Sequence, residues 1–150
     1  MILSWLVATV HVVALPLGLG GLWARGNALR GPIDRDSLRR VFAADGAWGI
    51  AGLVWIGTGV WRAFGGLEKG TAYYLQQPVF HAKLGLVALT VLLELWPMAT
   101  LIRWRIAARN GGAVDAGPAR SIALISRIQV GLVLAATLAA TALARGMFGR

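Results

Sequence analysis

The chain has 150 residues, a formal net charge of +9, and 57% hydrophobic against 14% charged residues. Charge this scarce, confined mainly to a few short segments, marks an integral membrane protein. The basic excess lies in short juxtamembrane loops, which argues against nucleic acid and for anionic lipid headgroups as its partner. The chain has no cysteine, so disulfides, thiolate metal sites and iron–sulfur clusters are excluded, and any metal must use His, Met or oxygen.

Four apolar stretches approach the roughly 20 residues that cross a hydrocarbon core about 30 Å thick. They lie near Ile2 to Trp23, Val41 to Phe64, Val79 to Ile102 and Ile122 to Ala144. Hydrocarbon offers no water to an unpaired peptide group, and the runs are too long and continuous for barrel strands, so all four are expected to be helices. The expected fold is all-α, an integral membrane four-helix bundle formed by residues 1–150 as a single transmembrane domain.

The first stretch carries His11 and Pro16, with Gly18, Gly20 and Gly21 following. Proline removes a backbone donor and tends to free the carbonyl four residues earlier, here that of Val12, so a bend just after His11 would widen the bundle there. The stretch lacks a basic leader, and its positive charges follow the apolar run, so it is expected to be retained as a span.

Arg25, Arg30, Arg35, Arg39 and Arg40 come between the first and second spans, and Arg103, Arg105, Arg109 and Arg120 between the third and fourth. Basic short loops stay cytoplasmic, which predicts a bacterial inner-membrane protein with both termini on the periplasmic side. Lys69, Arg145 and Arg150 belong to that opposite side.

In the second span Asp45, Trp48, Gly52, Trp55, Gly59 and Arg62 recur at intervals of three and four, one stripe of a helix. Indoles alternating with bare backbone can seat a flat macrocycle, although small residues equally let membrane helices pack closely without a cofactor. The fourth span, rich in alanine with Gly131, reads as a close-packing surface, and the glycine and alanine faces are the expected contacts of a homo-oligomer.

Gln77-Pro78-Val79-Phe80 precedes His81, and proline suits a first helical turn, so the third span is expected to begin near position 77. His81 and His11 are the chain's two histidines, and both fall in the periplasmic half. A histidine within hydrocarbon is a candidate site for ligand, cofactor or proton chemistry. For His11 a structural hydrogen bond weighs as much as ligation, and for His81 interfacial solvation is the plainer alternative.

Three charged residues, Asp45, Glu94 and Arg127, stand several residues inside their spans at similar depth. An isolated charge there costs at least about 2.5 kcal/mol, so mutual pairing is expected. Such a cluster fixes helix register or, with Glu94 partly neutral, serves a proton path or a substrate carboxylate site.

Trp5-Leu-Val-Ala-Thr-Val-His11 with Leu17-Gly-Leu-Gly-Gly-Leu22, and later His81-Ala-Lys83-Leu-Gly-Leu-Val-Ala-Leu89, resemble two signatures of the HemJ-type protoporphyrinogen oxidases. The overall layout is still more similar to an uncharacterised bacterial family of predicted four-span membrane proteins of this length. The resemblance to the oxidases covers roughly a third of the chain and carries over to His11, His81 and Lys83. Leu93-Glu94-Leu95-Trp96-Pro97 departs from the Gly-Tyr-His type of ending that follows in those enzymes.

What the resemblance implies is a b-type haem bound within the membrane, with redox chemistry on a porphyrin-like or quinone-like substrate. His11 and His81, or one of them, would be the axial ligands, Trp55 would line the site, and Lys83 and Arg62 would pair with the propionates. Lys83 and Glu94 would be candidates for the catalytic roles. Lys83 lies about 200° around an ideal helix from His81, so a regular first turn does not aim both into one pocket. The reading from a different class is a cofactor-free transport or assembly subunit whose Asp, Glu and Arg charges serve register or a proton route.

Overall fold

The computed structural model describes residues 1–66 and 71–145. Lys69 and Arg150, both used above to judge orientation, lie outside the described residues. The chain forms α1 (Ile2–Ala28), α2 (Arg35–Phe64), a single-turn α3 (Thr71–Leu75), α4 (Pro78–Arg109) and α5 (Ala119–Ala144). All but α3 are long and apolar enough to cross a membrane. No strand occurs among the described residues.

The helices outrun the apolar stretches expected from sequence. α1 continues to Ala28, α2 begins at Arg35 and α4 runs to Arg109, so much of what reads as arginine-rich loop is helix. Backbone hydrogen bonding continues past the point where side chains turn basic, and long arginine stems reach back to the interface. The start of α4 lies where proline predicts it, with Gln77 as N-cap and Pro78 in the first turn.

Local chemistry sets the turn into α2. Asp34 caps it, its Oδ1 accepting from the Ser37 backbone N–H at 2.7 Å, while Ser37 Oγ accepts from the Asp34 N–H at 2.8 Å. This reciprocal arrangement satisfies two donors that a helix start leaves open. The Ser37 backbone N–H, and then its hydroxyl, hold the Asp34 carboxyl below the usual carboxylate range. The cap therefore contributes above that range and fades as pH falls through the lowered value.

The bundle is up-down-up-down. At the arginine-rich end Leu29, Val41, Leu101, Trp104 and Ile122 form one buried cluster, and at the other Ala63, Tyr74, Phe80 and Leu143 form another. Between them Ala14, Leu22, Trp48, Trp55, Val133 and Ala136 make the central core. α1 packs against α2 and α5, and α5 against α4, whereas the backbones of α2 and α4 scarcely meet. Outward-facing Ile50, Leu53 and Leu138 are at least 70% exposed, as lipid-facing positions should be.

The closest approach is that of α1 to α2. A Cβ on Gly21 would lie 2.8 Å from both the Ala44 carbonyl oxygen and the Trp48 amide nitrogen, and one on Gly18 would lie 3.3 Å from the Trp48 ring. Gly20, one residue away, has open space. Without a hydrophobic driving force between helices in lipid, such backbone-to-backbone packing is a principal source of helix affinity in a membrane. Gly21→Ala should lower the thermal unfolding midpoint in detergent, at an overpacking cost of about 1–3 kcal/mol. Gly20→Ala should leave it near the wild-type value, and equal midpoints for the two variants would contradict the close approach.

Candidate functional site

Two polar constellations occupy the interior at different depths. The deeper one centres on Arg25, whose side chain is wholly buried. Its Nε donates to Ser126 Oγ at 3.0 Å, Nη1 to Asp45 Oδ1 at 2.8 Å and Glu94 Oε1 at 2.6 Å, and Nη2 to Glu94 Oε2 at 2.8 Å and Gln129 Oε1 at 2.9 Å. A guanidinium has five N–H donors, and all are used. The partners come from α2, α4 and α5, so one α1 side chain ties all four spans.

The partners are themselves satisfied. Gln129 Nε2 donates to the Thr90 carbonyl at 3.1 Å and to Glu94 Oε2 at 2.8 Å, and the Ser126 hydroxyl donates to the Ile122 carbonyl at 2.9 Å. Arg105 Nη2 donates to Asp45 Oδ2 at 2.7 Å and to the Phe42 carbonyl at 3.1 Å. Two arginines thus face two carboxylates and the network is neutral, which is the condition for holding charge in a low-dielectric interior.

This corrects the expected membership. Asp45 and Glu94 are paired as anticipated, but Arg127 is exposed and the positive charges come from Arg25 and Arg105. Helix phase is the reason: Ser126 and Gln129 are the buried residues of that turn of α5, and Arg127 is one step of about 100° off their face. Arg25 reads as a loop arginine in the sequence because its helix outlasts the apolar run. The available signal was its spacing, since Gly18, Gly21, Leu22, Arg25 and Leu29 share a buried α1 stripe.

The second constellation surrounds a cavity of about 430 Å³ near the other end of the bundle. Its walls include His11 from α1, Trp55, Gly59 and Arg62 from α2, Tyr74 from α3, Phe80 and Lys83 from α4, and Thr137 and Thr141 from α5. About 14 residues of α1 separate His11 from Arg25, roughly 21 Å along the helix, so the two constellations are distinct. Between them Trp48 is set by its packing on Gly18 and Gly52. Its Nε1 is buried without a hydrogen-bond partner among the described residues.

His11 is positioned on three sides. Its ring stacks on Trp55 with centroids 5.8 Å apart and planes 14° from parallel. A Cβ on Gly59 would lie 3.1 Å from His11 Cε1, so the glycine makes room for the imidazole. Nδ1 lies 2.9 Å from Thr58 Oγ1, and that hydroxyl lies 2.6 Å from the Val54 carbonyl, to which it donates. The hydroxyl proton being spent there, the His11 bond requires Nδ1–H as donor.

His81 is placed differently. It is exposed, and its Nε2 donates to the Leu75 carbonyl at 2.9 Å, tying α4 to the end of α3. It is not on the wall of the His11 cavity. Phe80, Lys83, Val87, Thr90, Glu94, Pro97, Leu101 and Trp104 form the inward stripe of α4 at intervals of three and four, and His81 is off that stripe. The structure therefore brings together His11, Trp55, Arg62 and Lys83 and leaves His81 and Glu94 elsewhere, Glu94 as the bidentate partner of Arg25. No cluster of three or more metal-ligating His or carboxylate groups occurs among the described residues.

The fold and these constellations define a small polytopic membrane protein with a ligand-sized cavity in one half and a neutral ion network in the other. Residues 3–148 match the family described as predicted membrane protein (DUF2214), and the chain belongs to that family. No curated protein and no solved structure matches it.

Removing one partner from a buried network costs about 3–5 kcal/mol, because the remaining charge is stranded. Arg25→Met should sharply lower the unfolding midpoint or prevent accumulation of folded protein. Arg25→Met combined with Glu94→Gln should recover part of that loss, since Asp45 keeps Arg105. A double variant no better than the single one, measured by thermal unfolding in detergent, would show that charge balance is not what the network supplies.

Proposed function

We propose that the His11 cavity is the functional site and that it holds one b-type haem, with His11 as the single axial ligand and a redox role for the protein. The observation that carries this reading is the state of His11. Its Nδ1 is tied to Thr58 and its ring is fixed by Trp55 and Gly59, so the neutral ring would turn Nε2 to a metal. Metal-ligating histidines characteristically donate their other ring N–H to a fixed acceptor, which sets tautomer and orientation.

The remaining lining fits the same group. Trp55, Phe80 and Leu143 give apolar walls, and Arg62 supplies a cation for carboxylates within the cavity. The volume falls within the roughly 300–1,000 Å³ usual for small-molecule sites. When bound, haem supplies a one-electron centre, and the protein's part is ligation, exclusion of water and charge pairing. The placement of His81 supports one histidine ligand instead of two. A porphyrin-like or quinone-like substrate, the HemJ-like oxidation and a homo-oligomer belong to this proposal in the same sense.

A cofactor-free transport or assembly subunit is the second reading, and the ion network is what favours it. Complete use of the Arg25 donors supports a register role for that network over a proton route. For orientation, we place the end bearing exposed Arg30, Arg35, Arg39, Arg40, Arg103, Arg109 and Arg120 in the bacterial cytoplasm and both termini in the periplasm, on the distribution of basic residues.

The test is the absorption spectrum of the detergent-purified protein, oxidised and reduced, after haem addition. Wild type and His81→Ala should show a Soret band, and His11→Ala should lose it. A colourless wild type, or a His11→Ala spectrum equal to wild type, would overturn the haem reading.

A further inference from the structure

α2 and α4 are joined near their ends and scarcely between. At the arginine-rich end Arg105 bonds Asp45 and the Phe42 carbonyl, and at the other the Phe64 and Phe80 rings meet edge-on with centroids 6.0 Å apart. Between these ties a narrow side groove of about 50 Å³ runs from the membrane-facing surface to the His11 cavity. Its sides are Ile56 and Val60 from α2 and Leu84 and Val87 from α4, and it ends at His11 and Lys83. Val60 is 51% exposed and Leu84 39% exposed, so the mouth faces lipid. The groove and the cavity share His11, Trp55, Gly59 and Lys83, whereas Arg62 belongs to the cavity alone.

We infer that this groove admits a membrane-dissolved quinone-type amphiphile, with its apolar chain between α2 and α4 and its carbonyl head at Lys83. The inference rests on the reading of the His11 cavity as the functional site and adds the class of its second ligand. Three constraints select that class. The sides are apolar along their length, which matches a hydrocarbon chain. The route opens sideways between two apolar spans, where a neutral head enters at less cost than a charged one. Among the described residues the polar side chains that line the groove are those of His11 and Lys83, and the lysine ammonium only donates hydrogen bonds, so a head at Lys83 must offer acceptors. A neutral carbonyl head on an apolar chain meets all three.

The probe is a decyl-chain benzoquinone, titrated into the full-length protein in lipid nanodiscs and read by quenching of tryptophan fluorescence, with Trp55 on the shared wall. Wild type should quench saturably, unlike protein-free nanodiscs doped with a tryptophan ester. Val60→Phe with Leu84→Phe, which fills the groove, should weaken binding at least tenfold, while a chainless benzoquinone should bind both proteins alike. The unfolding midpoint and the Soret band report folding of the filled variant, and Val60→Phe alone, at a lipid-facing position, should fold in any case and weaken binding in the same direction. Non-saturable quenching, or a folded filled variant that binds as tightly as wild type, would overturn the inference. A colourless protein with groove-dependent quinone binding would defeat the haem reading alone, and a Soret band without quinone binding would defeat this one alone.

Discussion

A fully buried guanidinium in a membrane bundle has few tolerable surroundings, and the rest of this structure is arranged around the one that Arg25 finds. Each of its five donors needs an acceptor at a fixed angle, and the acceptors are shared among Asp45 on α2, Glu94 on α4 and Ser126 and Gln129 on α5. Sliding any of these helices by one residue would move the acceptors by about 1.5 Å and 100°. Apolar helices in lipid have no such intrinsic register, since lipid tails are as apolar as their side chains. Charge balance completes the constraint: Arg105 pairs with the oxygen of Asp45 that Arg25 leaves, so the network carries two positive and two negative groups.

With register fixed at that depth, the other half of the bundle is free to be less tightly packed. Gly18 and Gly21 draw α1 onto α2, α5 follows α1, and α4 follows α5. The arc stays open between α2 and α4, and the cavity with its side groove lies along that seam. His11 stands at the seam's inner edge, with Trp55 and Thr58 on α2 setting its plane and its tautomer. A rigid floor beneath an open, largely apolar chamber is a suitable frame for a ligand whose reactive atom must meet one side chain.

Much of this was legible in the chain before any coordinates. The apolar runs show four spans, and Pro78 shows where the third begins. The stripe from Asp45 to Arg62 proves to face inward, with Trp48, Gly52 and Trp55 buried. The depth of Asp45 and Glu94 announced an ion cluster. What failed was phase and helix ends. Arg25 looked like a loop residue because hydropathy ends before the helix does, and Arg127 looked interior because depth was counted without the angle around α5. The two histidines share an end of the bundle, as spacing implied, but the inward stripe of α4 passes through Phe80 and Lys83 and leaves His81 turned away. Thr58, which fixes the His11 tautomer, gave no warning in the sequence, since a threonine forty-seven residues away becomes a partner only when α1 and α2 are docked.

The central claim is that one histidine, held by Thr58 and Trp55, presents Nε2 to a haem iron. Electron paramagnetic resonance of the ferric, detergent-purified protein tests it most directly, because a single histidine ligand leaves the iron high-spin whereas two make it low-spin. The account predicts a high-spin haem signal that persists in His81→Ala and disappears in His11→Ala. A low-spin wild type that becomes high-spin in His81→Ala, or protein that binds no haem iron at all, would contradict it.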